Sequence, residues 1–260
     1  MSLMKTAALA ALAGLLATTA LAEDKRDVRI GTEGAYPPFN YIDTEGKLVG
    51  FDIDIANALC AAANFECTFV VQDWDGIIPG LQADKYDAII ASMSITPKRA
   101  EVVDFTKKYY NTPGRFVVLK GEEPDITQGS GLDGMRVGVQ GATTHEDYVR
   151  AKWPKAEVVT YGTQDEANAD LISGRVDLVM ADSVVLQEGF LKTDSGDCCV
   201  FYGESYSDPQ YHGEGAGIAI RKGEPELVEA FNAAIVKIRE DGTYKTINDK
   251  YFEFDAYGAQ

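Results

Sequence analysis

Leu81-Gln82-Ala83-Asp84-Lys85-Tyr86-Asp87-Ala88-Ile89-Ile90 and Leu171-Ile172-Ser173-Gly174-Arg175-Val176-Asp177-Leu178-Val179-Met180 are two renderings of one pattern. Each reads as a helix end, a short turn, and an Asp that leads into a brief apolar run of buried-strand type. The chain has 260 residues, room for one large domain or for two of roughly 100–150 residues. The repeated pattern predicts two α/β lobes.

Working outward, residues 28–31 read as a strand ending in a loop. Phe51, Ile55, Leu59 and Ala62 then recur at helical spacing, behind Asp52 and Asp54 where the helix dipole favours acids. Residues 68–71 form a strand, 74–83 a helix with Pro79 awkwardly inside it, and a helix follows Pro97. The pattern breaks at Tyr110-Asn111-Thr112-Pro113-Gly114, and a second series begins. It has strands at 115–119, 136–139, 157–161 and 178–180, and helices through Tyr148, over 166–172 and over 184–191. A loop at Asp208-Pro209, a strand at 217–220 and helices over 225–240 and 243–251 close the chain. The expected lobes are 23–110 plus 207–260, and 111–206, joined near Asn111 and Ser207. The ligand cleft then lies between strand C-terminal ends.

Ala91-Ser92-Met93-Ser94-Ile95-Thr96-Pro97-Lys98-Arg99 follows the first copy of the pattern. A strand end, hydroxyls and a guanidinium fork together suit a carboxylate. Other strand ends supply Glu33 and Tyr36, Asp73 and Trp74, then Gln140, Thr143, Thr144, His145 and Asp182. One strong cation, several acids, hydroxyls and two aromatics suit a zwitterion. Each residue also has a plainer reading. Arg99 and His145 would be solvated, Ser94 or Thr96 a helix cap, Thr143, Thr144 and Asp182 further caps, Glu33 a loop acid and Trp74 packing between lobes.

Lys5, the apolar run 7–16 and Ala20-Leu21-Ala22 read as a signal peptide over 1–22, so a soluble periplasmic protein is expected. The net charge of −17 argues against nucleic acid. Four cysteines in an oxidising compartment invite disulfides. Cys60 and Cys67 suit a local staple worth about 2–3 kcal/mol, whereas adjacent Cys198 and Cys199 leave a vicinal bridge and two thiols both open. No metal or cofactor is expected, and no nucleophile-elbow, zinc-protease or phosphate-loop motif occurs.

Gly50-Phe51-Asp52-Ile53-Asp54-Ile55 with Leu59-Cys60, Ser92-Met93-Ser94-Ile95-Thr96-Pro97-Lys98-Arg99, Asp241-Gly242-Thr243-Tyr244 and the ending from Lys250 to Gly258 point to one family. Together they resemble the family 3 extracellular solute-binding proteins of polar amino acid ABC transporters, in particular the lysine/arginine/ornithine- and histidine-binding members. Those members also have a cysteine pair placed like Cys60 and Cys67. The resemblance implies the type II periplasmic binding protein fold, with a two-stranded hinge and a cleft closing on an L-amino acid. It implies a monomer without a cofactor, delivering its ligand to a separate membrane permease. Arg99 would hold the α-carboxylate with backbone N–H groups of Ser94 and Thr144. Asp182 would hold the α-ammonium with Ser92 assisting, Tyr36 and Trp74 would sandwich the side chain, and Glu33 would meet a distal cation.

The full set expected at the ligand is Glu33, Tyr36, Trp74, Ser92, Met93, Ser94, Arg99, Gln140, Thr143, Thr144, His145 and Asp182. Glu33 stands where the resembled subgroup has Asp, Ala91 where it has a serine and His145 where it has a glutamine. The longer Glu33 shortens the slot, so lysine is expected first, then arginine and ornithine, with histidine also admissible. The competing classes are a periplasmic cyclic-acid dehydratase on the same fold and a ligand-sensing input to a membrane receptor.

Overall fold

The computed structural model describes residues 25–124 and 131–258; the signal peptide expected over 1–22 lies outside the described residues. In chain order the first lobe begins with β1 (Arg26–Thr32), then a small antiparallel sheet of β2 (Ala35–Tyr36), β3 (Asn40–Ile42) and β4 (Leu48–Val49). It continues with α1 (Phe51–Ala62), β5 (Phe65–Val71), α2 (Ile77–Gln82), β6 (Ala88–Ile89), the single turn α3 (Pro97–Ala100) and β7 (Asp104–Tyr110). The chain then crosses into β8 (Gly114–Leu119), β9 (Arg136–Gln140), α4 (Thr144–Lys152), β10 (Glu157–Tyr161), α5 (Gln164–Ile172) and β11 (Leu178–Asp182). After a wide π-type helix over Val185–Leu191 come β12 (Cys199–Tyr206), the short α6 (Pro209–His212), β13 (Ala216–Ile220), α7 (Pro225–Glu240) and α8 (Thr243–Tyr251).

Two five-stranded sheets result, ordered β5-β1-β6-β13-β7 and β10-β9-β11-β8-β12. In each, three parallel neighbours are extended by two antiparallel pairings, so only β13 in the first sheet and β8 in the second run against the rest. Apolar residues cover both faces of each sheet. Ile30, Leu59, Ile218 and Phe231 lie on one side of the first, Ile77, Leu81 and Ile89 on the other. Phe116, Val137 and Met180 face one side of the second, Val117, Leu171 and Val179 the other.

The repeated sequence pattern has a common physical core. Arg29 donates its backbone N–H (2.8 Å) and Nε (3.1 Å) to Asp87 Oδ2, and its Nη2 (2.7 Å) to Oδ1. Arg136 does the same to Asp177, at 2.7, 3.2 and 2.5 Å. Each Asp therefore clamps the start of the third parallel strand to the first through a bidentate fork. The registers Ile30↔Ala88 and Val137↔Leu178 begin one residue beyond each clamp.

Several expectations need correction. The helix over 74–83 is split into a tight turn at Trp74–Gly76 and α2. Pro79 is then harmless, because the third helical position has no N–H partner to lose. The helix after Pro97 is one turn, and the Asp208-Pro209 loop is the start of α6. Strands β7 and β12 and the small sheet went unread. Both long strands lie at sheet edges, and β12 is half exposed along its length, so neither shows a clean apolar run. Asp52 stands in the first turn of α1 as expected, with a further role. It is wholly buried, accepting from Asn40 Nδ2 (2.8 Å), Tyr109 OH (2.9 Å) and Ser92 Oγ (2.9 Å), and burial lifts its pKa to about 6.

Cys60 and Cys67 are joined in a disulfide that ties the end of α1 to β5, while Cys198 and Cys199 are thiols. Gly50 precedes α1 with φ +126°, and a Cβ there would sit 2.2 Å from the Phe39 carbonyl oxygen, so only glycine fits.

The clamps make acid stability testable. Hydrogen bonds from Arg29 and Arg221, working against burial, hold the Asp87 carboxyl at about 2, below its ordinary 3.8. A depressed carboxyl stabilises the fold above its unfolded pKa, and that share is lost as pH falls from about 4 towards 2. Asp87→Asn is expected to cost about 1–2 kcal/mol at pH 7, with the gap to the parent closing near pH 2. Urea melts across that range check it, and equal stabilities at pH 7 contradict the clamp.

Candidate functional site

The lobes meet over a narrow cleft, walled by the C-terminal ends of the parallel strands and by the two crossings between lobes. Of the expected residues, Glu33, Tyr36, Trp74, Ser92, Ser94, Arg99, Gln140, Thr143, Thr144, His145 and Asp182 all line it. Met93 does not. It is wholly buried and packs with Trp74, Ile77 and Leu81, because alternate residues of the run after β6 face the core and not the cleft.

Arg99 follows the cap of α3, where Thr96 Oγ1 accepts from the Arg99 backbone N–H. Its guanidinium donates to the Ser94 carbonyl (3.1 Å) and reaches the Ala142 carbonyl in the other lobe (3.5 Å). It also stands 5.2 Å from the centre of the Trp74 ring. Among the described residues it has no ion-pair partner, and desolvation lowers its pKa to about 10.

Facing it, α4 begins at Thr144, with Thr143 as N-cap accepting from the Glu146 N–H. The first-turn N–H groups of such a helix have no intrahelical acceptor and favour an anion. Trp74 Nε1 donates 3.2 Å across the cleft to Ala142, and Lys98 pairs with Asp147 at 2.8 Å, so one lobe already rests on the other.

Two carboxylates line the same cavity with no ion-pair partner among the described residues. Glu33 is 6% exposed, and burial pushes its pKa to about 7; its partner is Gln140, whose Nε2 donates across the cleft at 2.5 Å. Asp182, 8% exposed, ends β11 and is raised to about 6, again mainly by desolvation. Its Oδ1 accepts from the Val184 N–H (2.8 Å), so the capping reading holds for that oxygen. Its Oδ2 accepts from Thr112 Oγ1 in the crossing between lobes. The Ser92 hydroxyl is turned away to Asp52, and φ of +55° at Ser92 aims its backbone N–H at Tyr109 OH, 3.1 Å away.

Residues that sequence reasoning missed complete the wall: Tyr110, Asn111 and Thr112 from the first crossing, His212 and Gly215 from the second. The break in pattern at 110–114 was a usable signal for the first three. His212 had only its rarity. Its ring is 5.6 Å from that of His145, both are buried, and burial holds both neutral, His212 at about 4. Neither nitrogen of His212 nor Nδ1 of His145 makes a hydrogen bond among the described residues; the Asp208 carbonyl favours a proton on His212 without hydrogen-bond geometry. Both rings close on Gly114, where a Cβ would stand 3.0–3.1 Å from His212 Nε2 and His145 Nδ1.

The arrangement offers a fork and a helix N-terminus for one carboxylate, two desolvated acids for cationic groups, and aromatic rings between them. Comparison with known proteins follows the same line. Residues 28–254 match the model of the bacterial extracellular solute-binding proteins, family 3. An L-arginine-binding protein of Pseudomonas aeruginosa is 50% identical over 98% of this chain and 99% of its own length. The lysine/arginine/ornithine-binding periplasmic protein of Escherichia coli is 42% identical, covering 96% and 97%. A solved periplasmic binding protein of Salmonella typhimurium, described as having high arginine specificity, superposes with a TM-score of 0.81 at 36% identity, covering 87% of this chain and 99% of its own. All three are named for binding and none as an enzyme. No described helix is long and apolar enough to cross a membrane.

The carboxylates carry a stability signature. A carboxyl whose folded pKa is raised binds its proton more tightly when folded, so stability falls as pH rises from its ordinary value towards the raised one. For Glu33 that window runs from about 4.5 to about 7. In ligand-free protein, Glu33→Gln is expected to be more stable than the parent at pH 8 by about 2–3 kcal/mol, with the gap narrowing towards pH 5. Denaturant titrations at the two pH values decide this. A variant less stable than the parent at pH 8 contradicts the unpaired carboxylate.

Proposed function

Because the chain belongs to family 3 of the bacterial extracellular solute-binding proteins, we propose that it is the periplasmic binding component of an ABC importer for a basic L-amino acid. The observation that carries this reading is Glu33, a carboxylate buried in the cleft with an amide and no cation as its partner. A neutral ligand leaves that charge uncompensated, whereas a distal cation offsets its desolvation.

In this reading the ligand α-carboxylate lies between Arg99 and the start of α4, with the N–H groups of Ser94 and Thr144. The α-ammonium meets Asp182. The aliphatic stem passes between Tyr36 and Trp74, and the distal cation takes Glu33, which releases the Gln140 amide. The lobes, 23–110 with 207–260 and 111–206, close because each contributes anchors, so the ligand favours the closed state by differential affinity. The closed pair of surfaces is then read by a separate membrane permease.

Slot length argued for lysine over arginine. Two considerations favour arginine instead. A planar guanidinium stacks on the Trp74 ring and presents a fork to Glu33, with a further N–H for the Gln140 carbonyl. The relatives described above include two named for arginine. Arginine is therefore placed ahead of lysine and ornithine, with histidine weakest.

Calorimetric titration of ligand-stripped protein tests this reading. Arginine and lysine are expected to bind with Kd in the micromolar range or tighter, about −8 kcal/mol or better. Glutamine or glutamate binding more tightly than both overturns the basic-ligand assignment. Glu33→Gln should weaken arginine at least tenfold. Protonation of Glu33 and Asp182 opposes a cationic ligand, so arginine affinity should fall from pH 7.5 to pH 5 and binding near pH 6.5 should release protons. Proton uptake instead contradicts the assignment of the carboxylates.

A further inference from the structure

Cys198 and Cys199 lie outside the cleft and serve neither the core clamps nor the site. Their Sγ atoms are 2.7 Å apart, with both residues in thiol form. Cys199 is buried at the start of β12, while Cys198 is half exposed, its Sγ directed at the Ser195 carbonyl 3.6 Å away. On the same chain Cys60 and Cys67 are already bonded, as expected in an oxidising compartment. We propose that Cys198 and Cys199 form a reversible vicinal dithiol–disulfide couple, a redox-modification site on the edge strand of the second sheet.

Backbone geometry explains why the couple is reversible. Consecutive Cα atoms are about 3.8 Å apart across a trans peptide, shorter than the roughly 4.4–6.8 Å that disulfides normally span. Cys60 and Cys67, at 6.2 Å, sit inside that window. A vicinal bridge is therefore strained, and strained bridges are the readily reduced ones. A structural staple would have no use for such spacing.

Exposure sets the order of events. Burial and the neighbouring thiol push Cys199 up to about 12, so it holds its proton while Cys198 is a thiol. With oxidised glutathione as the oxidant, the Cys198 thiolate attacks one of its sulfurs and a glutathione thiolate leaves. That thiolate takes the Cys199 proton, and the Cys199 sulfur attacks Cys198 Sγ, expelling the second glutathione, which is then protonated. Two protein thiols and one oxidised glutathione become one protein disulfide and two reduced glutathiones. The Lys120 ammonium favours the Cys199 thiolate formed on the way.

Closure must turn the peptide between the two residues. The Cys198 carbonyl accepts from the Lys120 N–H at 3.0 Å, and Cys199 pairs with Leu119 as the first rung of β12 on β8. That rung lies at the end of an edge strand, so its loss leaves the cleft residues in place.

The test equilibrates the full chain in glutathione buffers from fully reduced to fully oxidised, followed by acid quench, alkylation and peptide mass mapping. The peptide carrying both residues should pass from doubly alkylated to unalkylated and two hydrogens lighter, without retained glutathione, and return on reduction. Amide exchange at Lys120 should quicken in the oxidised form. In Cys198→Ser, Cys199 should end as an alkylated thiol or a glutathione adduct. Double alkylation at every ratio, a persistent mixed disulfide on the parent protein, cross-linked dimers, or a bridge that no glutathione ratio reopens overturns the proposal.

Discussion

Two buried carboxylates and a half-buried guanidinium, none with an ion-pair partner among the described residues, are the constraint on which the rest of this molecule turns. Arg99 is desolvated against Trp74 with only carbonyls to donate to, while Glu33 and Asp182 are desolvated with only neutral donors to receive. The acid whose field supports Arg99 is Asp147, already engaged by Lys98. Each group alone is shifted towards its neutral form. On the proposed reading, a zwitterion with a second cation would resolve all three at once, giving strong discrimination by charge and only weak discrimination by chain length.

Fixed geometry makes that discrimination possible. Asp52 holds Ser92, Asn40 and Tyr109 together and so pins the strand end that leads to Arg99. Thr112 holds Asp182 from the crossing between the two sheets. The two Arg–Asp clamps set the registers from which these strand ends project. Glu33 and Gln140, by contrast, follow β1 and end β9, so their hydrogen bond spans the cleft.

The fold was legible where burial imposes a strong pattern. The Asp-led strands at Ala88 and Leu178, α1, α7 and α8 all stand where apolar spacing puts them. Edge strands β7 and β12 were not legible, since one open side removes the need for a continuous apolar run. Cavity-lining residues at strand ends, such as Glu33 and Asp182, were legible because polar groups there have one place to point. Met93 was wrongly grouped with its neighbours, as period-two alternation sends it to the core. His212 was missed because it reaches the cavity by a crossing whose path only tertiary packing determines. Asp52 was placed correctly in the first turn of α1, but its hub role was not legible because it depends on partners far along the chain.

The orientation of a bound basic amino acid is the most direct test. A crystal structure with arginine is expected to place its carboxylate on Arg99 and the start of α4, its ammonium on Asp182 and its guanidinium on Glu33, with the Gln140 amide displaced. Arginine lying the other way round, or a ligand-filled cleft with the Glu33–Gln140 hydrogen bond intact, contradicts the charge-paired slot.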